Sequence, residues 1–217
     1  MPIPSPLDLL FPPKCLICQR LVGPGEAICP DCARSLPFAS GGKVNQKGDF
    51  FEACYTPFFY EEPLRASFLR YKFNGRQHYA RTYGQWMADR LVAQEEICFD
   101  LVTWAPLSRL RRWRRSYDQA ELLAKEVAAR LSLPLAATLR KANRKPLSRL
   151  EGSRSIRSAR ILGAYSLAQG VEVAGKQLLL VDDIVTSGAT LNECARVLKT
   201  AGAARIICVA LARKRDG

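Results

Sequence analysis

The chain has 217 residues, 48% of them hydrophobic and 24% charged, which is enough for one large domain or for one domain with a small appendage. These are ordinary globular proportions and exclude a disordered or collagen-like chain. No run reaches the ~18 apolar residues that a membrane span needs. The N-terminus MPIPSPLDLLFPPKC lacks a basic start and carries Asp8 in its short apolar run, so the expected location is cytoplasmic, with no membrane insertion.

Thirty-three Lys and Arg against twenty Asp and Glu leave a net charge of +13. Between Trp104 and Arg160 fifteen basic residues face only four acids (Asp118, Glu121, Glu126 and Glu151), so nearly all of the excess sits there. Such a segment suits a polyanion, either nucleic acid or a multiply phosphorylated ligand. The alternative is a solvated basic face.

The eight cysteines fall into two sets. Cys15, Cys18, Cys29 and Cys32 form C-x2-C-x10-C-x2-C, punctuated by Pro12, Pro13, Gly23-Pro24-Gly25 and Pro30. Two tight turns, each presenting two thiolates, close a tetrahedron around Zn²⁺. The alternatives are a pair of disulfides, which a cytoplasmic location disfavours, or a redox CxxC, against which two copies at this spacing argue. About thirty residues cannot fold on their own apolar surface, so a metal is the expected staple for a module spanning residues 1–39. A closed four-thiolate site leaves no open position for catalysis. Cys54, Cys98, Cys194 and Cys208 lie singly in apolar surroundings and read as small core residues.

Ser40 to Asp49 reads as a linker into a second domain spanning residues 40–217. The aromatic run from Phe50 to Tyr60, broken by Pro57, suggests an edge hairpin or strand pair. Glu62 to Lys72 and Gln77 to Ala93 read as helices parted by Asn74-Gly75. Twelve of the nineteen aromatic residues fall between Phe50 and Trp86, as a core or as stacking platforms for bases. Asp100 to Trp104 is a short strand, and Asp118 to Leu131 is a helix with Leu122, Leu123, Val127 and Leu131 on one stripe. Pro134 to Leu139 is a further strand candidate, and Arg140 to Arg160 reads as a mobile loop or exposed helix. The run Val171 to Val185 ends in a buried strand, Ala189 to Thr200 is a helix closed by Gly202, and Arg205 to Leu211 is a last buried strand. This alternation indicates an α/β fold with a parallel sheet flanked by helices.

Leu178 to Leu191 (LLLVDDIVTSGATL) carries the most chemistry. At the carboxyl end of a parallel strand, the next helix points its N-terminus into a crevice. Amides and hydroxyls of Thr186, Ser187, Gly188, Ala189 and Thr190 there suit a phosphate, and Gly188 permits close approach at positive φ. Asp182 and Asp183 would repel a bare phosphate but suit a sugar diol or an associated Mg²⁺. A ribose phosphate satisfies both halves. The alternative is that the acids merely end a strand and Ser187 caps a helix. No Walker A pattern occurs.

The hydrophobic strand, two acids and TSGAT resemble the phosphoribosyl pyrophosphate (PRPP) motif of type I phosphoribosyltransferases. With the cysteine knuckle in front, the whole chain resembles the ComF/GntX family of competence-associated proteins. The resemblance implies a type I phosphoribosyltransferase-like sheet with a small N-terminal zinc-knuckle module. It implies that Asp182 and Asp183 hold the ribose hydroxyls and organise Mg²⁺, and that residues 186–190 hold the 5′-phosphate. Pro106, Leu107 and Ser108 resemble the family's pyrophosphate turn. Arg115-Ser116-Tyr117-Asp118-Gln119-Ala120 stands where the family has Arg-Gly-Tyr/Phe-Asn-Gln-Ala. Leu147 and Arg160, before Gly163-Ala164-Tyr165, stand where it has Gln and Asn.

In phosphoribosyl transfer the protein binds pyrophosphate, positions the acceptor and excludes water. Arg109, Arg111 or Arg112 is a candidate to assist the leaving group. No general base stands out, and the single histidine, His78, reads as a surface or core residue. Three functions remain open: a transferase acting on a base or amine, a DNA-uptake accessory protein, or a PRPP-sensing module. In the second, Arg109, Arg111, Arg112, Arg114 and Arg115 contact single-stranded DNA, and family resemblance adds a DNA-uptake helicase as partner.

Overall fold

A computed structural model describes residues 12–39, 48–94, 98–142 and 161–215 of the chain. In chain order, α1 (Pro30–Ser35) closes the cysteine knuckle, and β1 (Ala53–Tyr55) and β2 (Phe58–Phe59) follow. Next come α2 (Leu64–Phe73), α3 (Tyr79–Val92), β3 (Leu101–Trp104), α4 (Arg109–Arg115) and α5 (Gln119–Leu131). The chain ends with β4 (Leu139–Lys141), β5 (Tyr165–Leu167), β6 (Gln177–Val185), α6 (Ala189–Thr200) and β7 (Arg205–Arg213).

The main sheet is parallel throughout, in the order β1-β7-β6-β3, with β2 also pairing with β7. Helices on both faces explain why β6 and β7 read as continuous apolar runs. Their side chains alternate between two cores. Leu179, Val181, Ile207, Val209 and Leu211 join the core shared with α2, α3, α5 and the knuckle. Leu178, Leu180, Ile206, Cys208 and Ala210 face α6, β4 and β5.

Helices α3 and α5 approach closely because of Gly84, where a Cβ would meet Glu126 Cβ at 2.3 Å. The α5 stripe of Leu123, Ala124, Val127 and Ala128 is buried on that side. Of the aromatic cluster, only Phe73 is exposed between Phe50 and Trp86. Of the rest, Phe50 and Phe51 pack on the α6 side, and most of the others join the core with α2 and α3, with Tyr71 and Tyr83 edge-on at 5.4 Å.

Several expectations need correction. Phe50 to Tyr60 is no hairpin: β1 and β2 each pair in parallel with β7, divided at Pro57, so they are two pieces of one edge. The candidate strand Pro134 to Leu139 contributes a single bridge, Val102 to Leu135. Regular pairing begins at Leu139, where β4 meets β5 antiparallel in a separate two-stranded sheet. Arg140 and Lys141 therefore belong to a strand, and residues 143–160 lie outside the described ones, with Leu147 and Arg160 among them. Most of the expected linker, residues 40–47, also lies outside. Cys54, Cys194 and Cys208 are core residues, but Cys98 is exposed.

Candidate functional site

The knuckle brings its four sulfurs within 4.8 Å of one another, with Cys18 Sγ 3.8 Å from Cys29 Sγ. A tetrahedron with Zn–S bonds of about 2.3 Å has edges of about 3.8 Å, so the donor set fits Zn²⁺. Arg20 Nε donates to Cys18 Sγ at 3.4 Å and pulls that thiol down to about 6, while burial raises Cys32. The knuckle is bolted to the helical layer through its backbone: Leu16 O accepts from Ser67 Oγ and from Arg70 Nη2. Gln19 Nε2 donates to Tyr79 OH at 2.8 Å. Cys15, Leu16, Ile17, Cys32 and Leu36 share one core with α2 and α3. His78 precedes α3 on the exposed surface near the knuckle, away from the acidic pair.

The second group of functional residues gathers where β3 ends beside β6, which runs on to Val185. Trp104 pairs with Val181, and Ala105 N donates to Val181 O at 2.9 Å. The turn holding Pro106, Leu107 and Ser108 therefore leaves the sheet beside Asp182 and Asp183. The two acids continue the alternation of β6 and face opposite sides of the sheet. Asp182 lies on the α6 side, where burial, and then the charge of Asp183, push its carboxyl well above the usual range. Its Oδ1 accepts from Asp183 N at 2.8 Å. Asp183 lies on the α2 side, where Lys72 Nζ stands 3.7 Å away.

Gly188, at φ +71°, opens α6, and no side chain among the described residues caps that helix, so Ser187 is not its cap. The first amides of α6 are left for another acceptor. Thr186 is exposed, and Ser187, Gly188, Ala189 and Thr190 are partly so. A cleft of ≈ 530 Å³ adjoins this loop on its outer side, lined in part by Phe50, Phe51, Ser187, Gly188 and Asn192. Asp182 and Asp183 do not line it, so the acids and the cleft are separate features.

Asp118 organises the other side. Its carboxylate accepts from Ala120 N and Glu121 N as the cap of α5, and from Leu107 N at 2.7 Å. The same side chain thus starts a helix and holds the turn 105–108 in place. Only 2% of Asp118 is exposed, and burial raises its carboxyl above the usual range. Gln119 binds two further segments: its Oε1 accepts from Arg115 Nη1 at 3.1 Å, and its backbone O accepts from Tyr71 OH at 2.9 Å.

The five arginines of the 109–115 segment, for which no helix was anticipated, lie on α4, and none of its residues is buried. They are not equivalent. Arg112 pairs with Glu121 at 2.9 Å. Arg115 stacks over Phe73 at 5.5 Å, and its guanidinium feels the charge of Asp183. Arg109, Arg111 and Arg114 make no ion pair among the described residues.

Residue-by-residue reading places neither Lys72 nor Lys141 near the acids, Lys72 standing there only as a cation beside the aromatic run. Lys141 on β4 donates to Tyr165 OH and sits over its ring at 4.5 Å, where burial lowers its ammonium below the usual range. Both lysines come from segments with no motif, and only the fold brings them near the acids.

A model of the phosphoribosyl transferase domain matches residues 118–217, and one of the double zinc ribbon domain matches residues 6–58. Competence protein ComFC of Streptococcus pneumoniae is 31% identical over 199 residues, covering 87% of this chain and 82% of that protein. The DNA utilization protein YhgH of Escherichia coli is 26% identical over 211 residues, covering 88% and 86%. An adenine phosphoribosyltransferase from Thermoanaerobacter pseudethanolicus superposes with a TM-score of 0.39 at 16% identity, over 70% of this chain and 84% of that one. The chain is thus a protein of phosphoribosyltransferase-like fold carrying an N-terminal zinc ribbon. It belongs to the ComF/GntX family, with relatives named competence protein F and competence protein ComFC.

Proposed function

We propose that this protein binds PRPP together with Mg²⁺ and supports DNA uptake by contacting single-stranded DNA. The observation that carries the ligand half is the junction of β6 and α6. Two carboxylates stand at the mouth of a buried strand, next to a glycine-opened helix whose first turn no side chain caps. Residues 186–190 take the 5′-phosphate through backbone N–H groups and hydroxyls, and Asp182 and Asp183 accept from the ribose hydroxyls. The turn at Pro106, Leu107 and Ser108 receives the pyrophosphate, held in register by Asp118. Arg115 and Lys72 supply positive charge beside Asp183.

The acidic pair suits a cation as well. Asp182 is partly buried beside a neighbouring carboxylate, and Lys72 at 3.7 Å is the ion-pair partner of Asp183. When bound with the ligand, Mg²⁺ would neutralise pyrophosphate and the excess negative charge of the pair. The zinc of the ribbon is structural, because four thiolates complete its coordination.

The DNA half rests on α4, with five arginines in seven residues and three of them without an ion pair among the described residues. The relatives' names, competence and DNA utilization, point the same way. The test is oligonucleotide binding across a salt series. Neutralising Arg109, Arg111 and Arg114 to Gln together should reduce the slope of log affinity against log salt by about 2 for a single strand. Unchanged binding in that variant would remove α4 from the account.

A further inference from the structure

The single-strand half of the proposed function has a consequence for two residues that carry no charge. Helix α4 exposes Trp113 to 81% and Leu110 to 61%. Spaced i and i+3, the two share one face of a helix that buries none of its residues. Phe73 at the end of α2 is 63% exposed and has two cations near its ring, Lys72 Nζ at 5.9 Å and the Arg115 guanidinium at 5.5 Å. Every other aromatic residue from Phe50 to Trp86 is at least half-buried or packed in the core. Phe38 is also exposed, at 54%, but packs against Phe58; Phe73 and Trp113 are the exposed rings that stand with the arginines of α4.

We propose that Trp113 and Phe73 are base-stacking residues, and that they make this surface selective for single-stranded over double-stranded nucleic acid. Arginine alone reads phosphate charge, which both forms carry. A flat apolar face needs a base whose own face is free, and only an unpaired strand offers that. Arg115 joins the two elements: it lies on the same helix as Trp113 and stacks on Phe73, so phosphate contacts and base contacts fall on one band. Charge complementarity favours a polyanion over a protein partner, since α4 itself contains no acid and its one ion pair among the described residues, with Glu121, leaves Arg109, Arg111 and Arg114 available.

The experiment compares a labelled single-stranded 20-mer with the same sequence hybridised, using fluorescence anisotropy on the full chain. Wild type, Trp113→Ala, Phe73→Ala, Trp113→Phe and the triple Arg→Gln variant are titrated at several salt concentrations. Both side chains are exposed, so folding is not at stake, and melting curves confirm it. Each alanine variant should bind the single strand ~10-fold more weakly. The salt slope and the duplex affinity should not move, and Trp113→Phe should recover most of the loss.

Alanine variants that bind like wild type, or that lose single strand and duplex equally, overturn the stacking role while leaving the arginine contacts standing. Wild-type protein that binds no oligonucleotide overturns the DNA reading itself. Association with anionic lipid vesicles in place of oligonucleotides would reassign α4 to a membrane surface and overturn both.

Discussion

Replacing Asp118 with alanine separates two jobs that one carboxylate performs. The side chain caps α5 at Ala120 N and Glu121 N and also accepts from Leu107 N. Loss of an N-cap costs about 1 kcal/mol. A buried N–H left without an acceptor at Leu107 costs about 1–3 kcal/mol more. Removing a carboxylate whose burial is unfavourable returns part of this, so the net loss should be about 2 kcal/mol, or a fall in Tm of about 4–8 °C for a chain of this size. Asp118→Asn keeps one acceptor oxygen, enough for the cap at Ala120 N and Glu121 N but not also for Leu107 N, which the second carboxylate oxygen serves. It should therefore lose about 1 kcal/mol less than alanine.

The two variants also differ with pH. The Asp118 carboxyl is raised in the folded protein, chiefly by burial. A raised acid binds its proton more tightly when folded, so its cost is absent below the ordinary carboxylate range near 4 and grows as pH rises through the folded value. Asp118→Asn should therefore gain on wild type between pH 4 and neutrality. Thermal and urea melts across that range measure both effects. The reasoning fails if the alanine and asparagine variants melt together, or if Asn falls further behind with rising pH.

The same logic applies more strongly to Asp182, whose carboxyl is pushed well up by burial and by Asp183. Asp182→Asn should raise the stability of the ligand-free protein above pH 4 by about 1 kcal/mol or more while abolishing PRPP affinity, a pairing that urea melts and a binding isotherm would reveal together. For the ribbon, elemental analysis should find about one zinc per chain, absent in Cys29→Ser. Because Cys15, Leu16, Ile17 and Leu36 share a core with α2 and α3, chelation should lower the melting temperature of the whole chain. Chelation that leaves the melting curve unchanged would show the ribbon to be independent of that core.

The parts of this protein that are legible in sequence are those whose chemistry is local. The cysteine spacing names its metal because two short turns suffice to build the site. The strand, acid pair and TSGAT run are contiguous, and their position at a strand end follows from hydrophobic patterning. The five arginines of α4 are visible too, although their sorting is not: only the fold shows that Arg112 belongs to Glu121 and Arg115 to Phe73 and Gln119. Asp118 reads as a departure from the family's Asn, and in the fold its two oxygens divide the capping and turn-holding bonds, of which a single Asn oxygen could keep only one set. Pairing partners are the hardest to foresee. Phe50 to Tyr60 has hairpin-like aromatics and a central proline, but its partner is β7, some 150 residues downstream. Lys72 and Lys141 approach the acids through tertiary packing alone, so no spacing rule could have found them.

The most direct test of the central claim is a calorimetric titration of the full chain with Mg²⁺ and PRPP, repeated on the Asp182→Asn/Asp183→Asn double variant. Saturable heat in wild type that vanishes in the double variant is the result expected if the β6–α6 junction is a working PRPP site. Absence of heat in wild type, or equal heat in both proteins, would contradict it.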